Sequence, residues 1–288
     1  MSIPAAFDYH SATSVDEAIS LLQQYGDDAK LLAGGHSLLP TMKLRLAQPA
    51  HLIDLGRISN LSYIREDGGN IVVGAMTTYA TIERSDLLRQ QYPMLVEGVG
   101  TIGDPQVRNR GTIGGSVAHS DPSADMPGMV LALKADMVVR GPEGERVIKA
   151  DDFFVDMMET ALKPNEVLTE LRFASRAARS GSAYSKLANR ASHYALAGCA
   201  AVITLGDDGN CASASVVITG ASTRAMRATS VEQALVGKKL DEAAVTAAAS
   251  HAADGLELVE DIHGSKQYRA QMTTVMAKRA ILKALSRI

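Results

Sequence analysis

Two glycine pairs, each followed within two positions by a serine, constrain this chain more than any other feature. The first is Gly34-Gly35, with Ser37 behind it, and the second is Gly114-Gly115, with Ser116 behind it. Glycine adopts positive φ without strain and has no Cβ to obstruct a ligand. Successive backbone N–H groups in such a turn form a concave anion site, to which hydroxyls add donors. One such loop suits one phosphate, so two converging loops predict a pyrophosphate site and hence a dinucleotide.

The alternative interpretation is that both pairs are ordinary tight turns, because glycine and serine are default turn residues. The chain contains 24 glycines among 288 residues, so a single match carries little weight. Both pairs are flanked by apolar residues typical of strands, and the aspartate-rich sequence Asp121–Asp125 trails the second. These flanks favour a ligand site over two unrelated turns.

The composition argues against several classes of protein. A net charge of −3 gives no basis for binding nucleic acid or an anionic membrane surface, and there is no tryptophan for base stacking. No apolar run is long enough to span a membrane. The segment Met1–Phe7 lacks the charged start and apolar core of a signal peptide. We therefore expect a cytoplasmic protein, either free or peripheral at the inner face of the cell membrane.

The cysteines and histidines predict no metal site. Cys199 and Cys211 are the only cysteines, and two thiols without a C-x-x-C motif cannot bind an iron–sulfur cluster alone. Both lie in apolar, strand-like segments, which predicts buried thiols. The seven histidines are scattered, without an H-x-x-x-H pair. We also find no acid–base constellation that would make this chain catalytic by itself.

Hydrophobic patterning predicts α and β elements throughout the first part of the chain. Ser14 and Glu17 form a capping box that opens a helix ending near Tyr25. The sequence Gly141–Gly144 predicts a hairpin turn, whereas the glycine-rich segment 93–125 is expected to be helical in part and irregular over much of its length. Strands are predicted at 30–33, 51–55, 70–74, 137–140, 145–148 and 166–173, and a helix opens near Thr77.

The segment 174–182 shows no periodicity and marks a domain boundary. Beyond it, a run of strands is followed by a run of helices, which predicts a small α+β domain. The predicted strands are 196–205 and 212–219, and the predicted helices are 230–236, 241–254 and 265–286.

One motif is misleading. Gly98, Gly100 and Gly103 match the Rossmann pattern G-x-G-x-x-G, which requires a strand before it and a helix opening within it. The preceding segment 93–97 is at least as helical as extended, and proline at 105 disfavours helical geometry at the residue before it. We interpret the match as accidental.

With these motifs in place, the chain resembles the FAD-binding medium subunits of molybdenum hydroxylases, the xanthine dehydrogenase family. The nearest likeness is to the carbon monoxide dehydrogenase branch. The family signature has the form A-G-G-x-S in the first loop and T-I-G-G-N in the second, and this sequence has Ala33–Ser37 and Thr112–Ser116. The resemblance continues through Asp121–Asp125, Tyr184–Leu187 and Tyr194–Ala197, and so covers essentially the whole chain.

The resemblance implies an α+β protein with a non-Rossmann FAD-binding domain at 1–175, built of two α/β subdomains divided near 55–60. It implies a C-terminal domain at 176–288 with a small antiparallel sheet and helices. FAD would be bound by this chain. The implied partners are a large molybdopterin subunit that oxidises substrate and a small subunit with two [2Fe–2S] clusters, assembled as a dimer of heterotrimers. Electrons would pass from molybdenum through the clusters to FAD and then to an external acceptor.

Carried over residue by residue, the resemblance implies a set of FAD contacts. Asp125 matches an aspartate that binds the adenosine or ribityl part, and Lys186 matches a lysine whose charge stabilises the reduced flavin ring. Ile102 and Tyr194 match positions against the ring, and Leu168 is a weaker match for ring or ribityl contact. The implied pyrophosphate contacts are Gly34, Gly35, His36 and Ser37 in the first loop and Thr112, Gly114, Gly115 and Ser116 in the second. Ala33 and Leu38, at the two ends of the first loop, are further implied cofactor contacts.

Several of these residues also fit a purely structural interpretation. Lys186 fits a surface lysine, since most lysines are exposed. Tyr194 and Ile102 fit core positions. Asp125 fits the N-cap of a helix that begins beside it, because aspartate is favoured there and proline suits a first turn. At His36 the backbone N–H matters more than the imidazole.

The second loop departs from the family signature, because it ends in Ser116 where asparagine is usual. Serine keeps a donor and an acceptor but is shorter. This difference weakens the link to carbon monoxide dehydrogenase itself, compared with hydroxylases of N-heterocycles or aldehydes.

Two other functions fit the loops: a stand-alone flavoprotein oxidoreductase, and a dinucleotide-binding module without redox activity. The first needs substrate-facing acid–base residues that the sequence does not display. In the hydroxylase interpretation the substrate is chosen on another chain. No second nucleotide motif is present, which disfavours NAD⁺ as the terminal acceptor.

Overall fold

A small parallel sheet opens the fold and leads into the first glycine loop. The structure is a computed structural model that describes residues 3–288, so Met1 and Ser2 of the segment considered for a signal peptide lie outside the described residues. The strands pair in the order β1 (Asp8–Ser11), β3 (His51–Asp54), β2 (Ala29–Leu32).

Helix α1 (Val15–Tyr25) connects β1 to β2 and confirms the predicted cap at Ser14, although Glu17 bonds back to Thr13 rather than to the Ser14 N–H of a standard capping box. The Ser14 hydroxyl accepts a hydrogen bond from the Glu17 N–H, and the Glu17 carboxylate accepts one from the Thr13 N–H at 2.7 Å. A 3₁₀ turn (Gly26–Asp28) then leads into β2, and the first glycine loop leads from β2 into the short helix α2 (Leu38–Lys43). The loop therefore lies at the carboxyl edge of this sheet.

The second sheet is antiparallel, and its central strand comes from a distant part of the chain. The predicted hairpin is present, with Gly144 at φ +108°, in the region that favours glycine. The late strand β10 (Val167–Ala174) pairs with both β5 (Asn70–Gly74) and β6 (Asp136–Gly141), so the residues near 170 close a sheet that begins at residue 64. The strand order is β4 (Ile64–Asp67), β5 (Asn70–Gly74), β10 (Val167–Ala174), β6 (Asp136–Gly141), β7 (Gly144–Lys149).

Short helices occupy most of the glycine-rich segment 93–125, which is more helical than expected, and the residues between them are irregular. Asp104 and Thr112 cap two of these helices, and Pro93 and Pro105 occupy first-turn positions, where proline costs nothing. Gly98 lies inside a helix, which confirms that the G-x-G-x-x-G match is accidental. The helices are α3 (Tyr79–Arg84), α4 (Asp86–Gln91), α5 (Pro93–Gly100), α6 (Pro105–Arg108), α7 (Ile113–His119), α8 (Asp125–Ala132) and α9 (Ala150–Phe153).

Two small elements complete this part of the chain. A 3₁₀ turn (Ser59–Leu61) connects β3 to β4, between the first sheet and the second. A hairpin of β8 (Phe154–Asp156) and β9 (Glu159–Thr160) follows α9, and its turn contacts the end of α7, because the Met158 N–H donates to the Ser120 carbonyl at 3.2 Å.

The last part of the chain is an antiparallel sheet covered by a long helix. Gly181 lies where the sheet meets that helix, and a Cβ there would be 2.0 Å from the Ala284 carbonyl oxygen. The predicted helix 241–254 is too long, because residues 250–255 form turns that end at Gly255, with φ +76°. The elements are β11 (Ser180–Ala188), β12 (Ala195–Leu205), β13 (Cys211–Thr219), β14 (Met226–Arg227), α10 (Thr229–Leu235), α11 (Glu242–Ala249) and α12 (Lys266–Leu285).

Residues 3–288 include no membrane-spanning helix, because none of their helices has both the length and the apolar character needed to cross a membrane. The same range contains no cluster of three or more histidine, cysteine, aspartate or glutamate side chains that could hold a metal ion.

Both cysteines are free and buried, which confirms the sequence-based prediction. Burial raises the pKa of the Cys199 thiol and, to a smaller extent, that of Cys211.

Because the thiolate is the reactive form, we expect neither cysteine to react with a thiol reagent in the native protein at pH 8 and both to react after unfolding in urea. Rapid titration of one thiol in the native chain would contradict this packing.

Candidate functional site

The two glycine loops, far apart in sequence, are in direct contact. A Cβ built on Gly34 would lie 2.2 Å from the Arg110 carbonyl oxygen and 2.8 Å from the Gly111 Cα. One built on Gly115 would lie 3.3 Å from the Ala33 Cβ. The first sheet and the second sheet therefore meet at these loops.

Close packing of the chain against itself explains most of the glycines in these loops. Gly114, like Gly34, leaves no room for a side chain, because a Cβ built on it would be 2.5 Å from the Ala75 Cβ. At Gly115 a Cβ would be 2.7 Å from the Thr112 Oγ1. Gly35 is required for a different reason, its φ of +78°. Clearance for a ligand is therefore not the reason for glycine at any of the four positions, which corrects that part of the argument made from sequence, whereas the positive φ of Gly35 agrees with it.

The first loop presents a run of backbone donors without acceptors. The N–H groups of five successive residues, Gly34 to Leu38, have no hydrogen-bond acceptor among residues 3–288. These residues are half-buried, apart from the exposed His36. Because nearly all backbone N–H groups shielded from water find an acceptor, such a run indicates an anion site.

The second loop has already used its backbone donors. The Ile113 and Gly114 N–H groups donate to the carbonyls of Thr77 and Ala75 at 3.0 and 2.9 Å. The Gly115 N–H donates to the Thr112 Oγ1, and the Ser116 N–H to the Thr112 carbonyl, both at 3.1 Å. This loop therefore offers side-chain hydroxyls rather than a row of free amides.

Two tyrosines border the loops, one on each side. Burial raises the pKa of the Tyr79 phenol, and the adjacent Ser116 hydroxyl opposes that rise. Partial burial likewise raises the pKa of Tyr194, the Asp121 carboxylate adds to the rise, and the Ser37 hydroxyl opposes it. Tyr194 is 40% exposed, so the core interpretation of this residue is wrong. It lies on the turn before β12 and brings the C-terminal sheet to the first loop.

Asp125 and Lys186 form a buried ion pair across the two parts of the chain. The Lys186 Nζ lies 2.7 Å from the Asp125 Oδ2, and the two side chains are 5% and 4% exposed. The Tyr184 hydroxyl donates to the other carboxylate oxygen at 2.5 Å. Burial raises the pKa of the Asp125 carboxyl, and the Lys186 ammonium offsets part of that rise. The surface-lysine interpretation of Lys186 is therefore wrong.

Asp125 is also not the helix cap considered from sequence. It is the first residue of α8, and Ala124 occupies the N-cap position without a side-chain hydrogen bond. The Asp125 carboxylate instead points to the tyrosine and lysine of β11. Burial of this charge is balanced by those two donors, as a buried carboxylate requires.

The two apolar candidates lie at different depths. Ile102 is half-buried against the main core, in the turn between α5 and α6. Leu168 is 6% exposed and belongs to the core of the second sheet, beneath the second loop. The strand carrying Leu168 supports that loop through Ala75. The Thr169 carbonyl accepts from the Ala75 N–H at 2.9 Å, and the Ala75 carbonyl in turn accepts from the Gly114 N–H of the loop at 2.9 Å.

Sequence reasoning missed Tyr79 and Tyr184 as members of the site. Tyr184 and Lys186 lie two positions apart on one strand, so their side chains share a face. That spacing was a usable signal for Tyr184. Nothing local marked Tyr79, because its place beside Ser116 depends on a contact between α3 and the second loop, where the Tyr79 N–H donates to the Gly111 carbonyl.

Comparison with known protein families identifies the family to which the chain carrying this site belongs. The family model described as the FAD binding domain in molybdopterin dehydrogenase matches residues 5–174. The model of the CO dehydrogenase flavoprotein C-terminal domain matches residues 182–284. The chain belongs to the FAD-binding medium subunits of the molybdenum hydroxylase family.

Individual relatives of these medium subunits match over nearly their full lengths. The carbon monoxide dehydrogenase medium chain of Hydrogenophaga pseudoflava is 45% identical over 286 residues, with 99% of each chain covered. The 6-hydroxypseudooxynicotine dehydrogenase complex subunit alpha of Paenarthrobacter nicotinovorans is 38% identical, covering 99% of this chain and 96% of that one. The solved structure of the Hydrogenophaga pseudoflava enzyme lacking the Mo-pyranopterin moiety has a TM-score of 0.96, with 46% identity and 99% of each chain covered. These findings confirm the resemblance and make the chain an oxidoreductase subunit with an FAD-binding domain.

The residues present fit FAD. A diphosphate needs several donors, and the first loop has five N–H groups without an acceptor in the protein. The hydroxyls of Ser37 and Ser116 add donors on either side. This medium subunit therefore has a donor set of the right chemistry at the contact between its two loops.

The contact at Gly34 yields a prediction about the site. In Gly34→Ala the new Cβ would overlap the Arg110 carbonyl and force the loops apart, so we expect loss of FAD binding and a loss of roughly 1–3 kcal/mol in the free energy of unfolding. Gly100→Ala is the control, because its Cβ would meet only the Glu83 Oε1 at 3.5 Å. FAD titration and urea unfolding of both variants test this. Parent-like FAD affinity in Gly34→Ala would show that the loop contact is not needed.

Proposed function

We propose that this chain is the FAD-carrying electron-transfer subunit of a heterotrimeric molybdenum hydroxylase. In this proposal a large subunit binds molybdopterin and oxidises the substrate. A small subunit carries two [2Fe–2S] clusters that deliver electrons to the FAD on this chain. An external acceptor then removes them, and two heterotrimers associate as a dimer.

The observation that carries the proposal is the row of free donors in the first loop, in a chain with this family membership. A non-redox dinucleotide-binding module would use the same row. However, the chain is similar over nearly its whole length to dehydrogenase subunits, which favours redox chemistry. The clusters are assigned to a partner because such a cluster takes four ligands, and this chain has two cysteines, both buried.

The role of this chain is to bind and position the cofactor rather than to move protons. Bound FAD supplies the electron-accepting chemistry. The amides of Gly34 to Leu38 would hold the diphosphate, with Ser37 and Ser116 beside it. Ile102 and Tyr194, at the edges of the α5–α6 and β11–β12 turns, would border the flavin ring. The buried pair Asp125–Lys186 stands between those two turns and is satisfied within the protein.

The domain organisation follows the sheets. We propose an FAD-binding domain at 1–175, with subdomains divided near 55–60, and a C-terminal domain at 176–288. The first sheet ends at Asp54 and the second begins at Ile64, while β10 ends at Ala174 and β11 begins at Ser180, which supports both divisions. The cytoplasmic location remains a prediction from sequence.

The test is the composition and reactivity of whatever co-purifies with the chain from its native host. We expect FAD, molybdenum and iron together with two companion chains, and bleaching of the flavin by substrate only while all three chains are present. Turnover by the chain alone, with FAD and without companions, would instead make it a stand-alone flavoenzyme. A chain that binds FAD but is not reduced by substrate in the assembled complex would contradict the electron-transfer role.

Exposed apolar side chains near the first loop support the assembly with partners. Leu44 and Leu46 are 65% and 77% exposed, just after α2, and Leu39 on that helix is also exposed. Ile3 is also exposed. It lies beside these leucines, because its carbonyl accepts a hydrogen bond from the Arg45 Nε at 3.3 Å. Exposed apolar patches of this kind mark interaction surfaces. We propose that this patch is covered by a companion subunit.

A double substitution tests that surface. In Leu44→Asp/Leu46→Asp the exposed positions tolerate charge, so we expect a folded chain that binds FAD, whereas burial of two carboxylates at an interface would prevent assembly. Ile262→Asp is the matched control, since Ile262 is 95% exposed but lies in the C-terminal part. Companion chains are measured after affinity purification. Their full recovery with the double variant would remove this patch from the interface.

A further inference from the structure

All three protons of the Lys186 ammonium are used within the protein. The Nζ donates to the Asp125 Oδ2 at 2.7 Å, to the His193 carbonyl at 2.8 Å and to the Thr101 carbonyl at 3.0 Å. An ammonium group has three donors and no acceptor. Lys186 therefore has no donor left for a ligand in this arrangement, although the family resemblance assigns it to the flavin ring.

The two carbonyls belong to segments that carry the proposed ring contacts. Thr101 directly precedes Ile102, in the turn between α5 and α6. His193 directly precedes Tyr194, in the exposed turn between β11 and β12. One nitrogen atom thus sets the separation of two segments that come from different parts of the chain.

The turn at 189–194 has few other links to the FAD-binding part. Its own hydrogen bonds are internal: the Asn189 Oδ1 accepts from the N–H groups of Ala191 and Ser192, and the His193 N–H donates to the Asn189 carbonyl. His193 has φ +61°, an uncommon conformation for a residue with a side chain. The other links from this turn to the first domain are the contact of the Tyr194 hydroxyl with the Ser37 hydroxyl and the nearby bond of the Ala195 N–H to the Ser123 carbonyl.

The energetics favour a strong positional constraint. Hydrogen bonds from a charged donor are shorter and about twice as strong as neutral ones. Lys186 and Asp125 are both almost fully buried, so neither charge can turn to water when the other is lost. Tyr184 fixes the second oxygen of Asp125, and this holds the carboxylate in one orientation.

We propose that Lys186 is a positioning residue that fixes the distance between the Thr101–Ile102 and His193–Tyr194 segments and makes no direct hydrogen bond to the cofactor. This inference rests on the proposed FAD site for its functional meaning. Its structural content does not depend on FAD or on any partner subunit. It therefore can be tested on the full chain without cofactor, separately from the proposed function.

The test is limited trypsin digestion of the FAD-free chain. Arg190 lies in the exposed 189–194 turn, and Arg179, exposed in the turn before β11, is an internal reference for global unfolding. In Lys186→Met we expect cleavage after Arg190 to be about tenfold or more faster, the change expected from removing a charged hydrogen bond, with cleavage after Arg179 unchanged. FAD affinity should fall in parallel.

Lys283→Met is the matched control. Lys283 also forms a lysine–carboxylate pair between the two parts of the chain, at 2.6 Å from the Glu97 Oε2, but it lies on the surface and contacts neither turn. We expect parent-like cleavage at both arginines and parent-like FAD affinity. Equal acceleration after Arg190 in this variant would overturn the proposal, because any cross-domain pair would then have the same effect.

A second variant covers the case in which Lys186→Met unfolds because Asp125 is left with an unpaired buried charge. Lys186→Met/Asp125→Asn removes both charges and keeps an acceptor for Tyr184. We expect the same faster cleavage after Arg190 and an unchanged rate after Arg179.

Parent-like cleavage after Arg190, with a changed flavin reduction potential in Lys186→Met, would show direct contact with the cofactor and overturn the proposal. Equal acceleration at both arginines in the double variant would also overturn it, since the pair would then hold the whole fold.

Discussion

The contact between Gly34 and the Arg110-Gly111 backbone determines the geometry of the whole site. It brings the carboxyl edge of a parallel sheet against the start of α7, so two loops some eighty residues apart become one surface. The contact is possible only because Gly34 has no side chain, since a Cβ there would overlap the Arg110 carbonyl. Every later feature of the site, from the direction of the first-loop amides to the position of Ser116, depends on the loops meeting at this distance.

Once the loops have met, they take different roles. The second loop satisfies its own amides with Thr77, Ala75 and Thr112, and so becomes a rigid wall. The first loop keeps five amides free and faces that wall. A site of this kind is arranged before the ligand arrives, which lowers the ordering cost of binding. The C-terminal domain then adds a third side through Lys186, Tyr184 and Tyr194.

Features set by a few neighbouring residues were predictable from the sequence. The cap at Ser14, the hairpin at Gly144 and the two loop motifs all depend on local chemistry. The number and bounds of the helices in segment 93–125 were not predicted, because the glycine content obscured the caps at Asp104 and Thr112. The length of α11 was overestimated, because apolar periodicity continued past the turns at 250–255.

Long-range contacts explain the remaining differences. The donor asymmetry of the loops depends on Ala75 and Thr77, which the motif does not contain. The burial of Lys186 depends on Thr101, Asp125 and His193, from three separate segments. The family resemblance indicated which residues gather at the site, and only the packing distinguishes side chains that can face a cofactor from those that hold the segments around it.

Amide hydrogen exchange of the chain with and without FAD distinguishes the roles of the two loops. We expect FAD to slow exchange strongly at residues 35–38 of the first loop, whose amides have no acceptor in the protein. We expect little change at 113–116, whose amides are already bonded. Strong protection at 113–116 with none at 35–38 would contradict these roles, because the second loop would then be the one that holds the diphosphate.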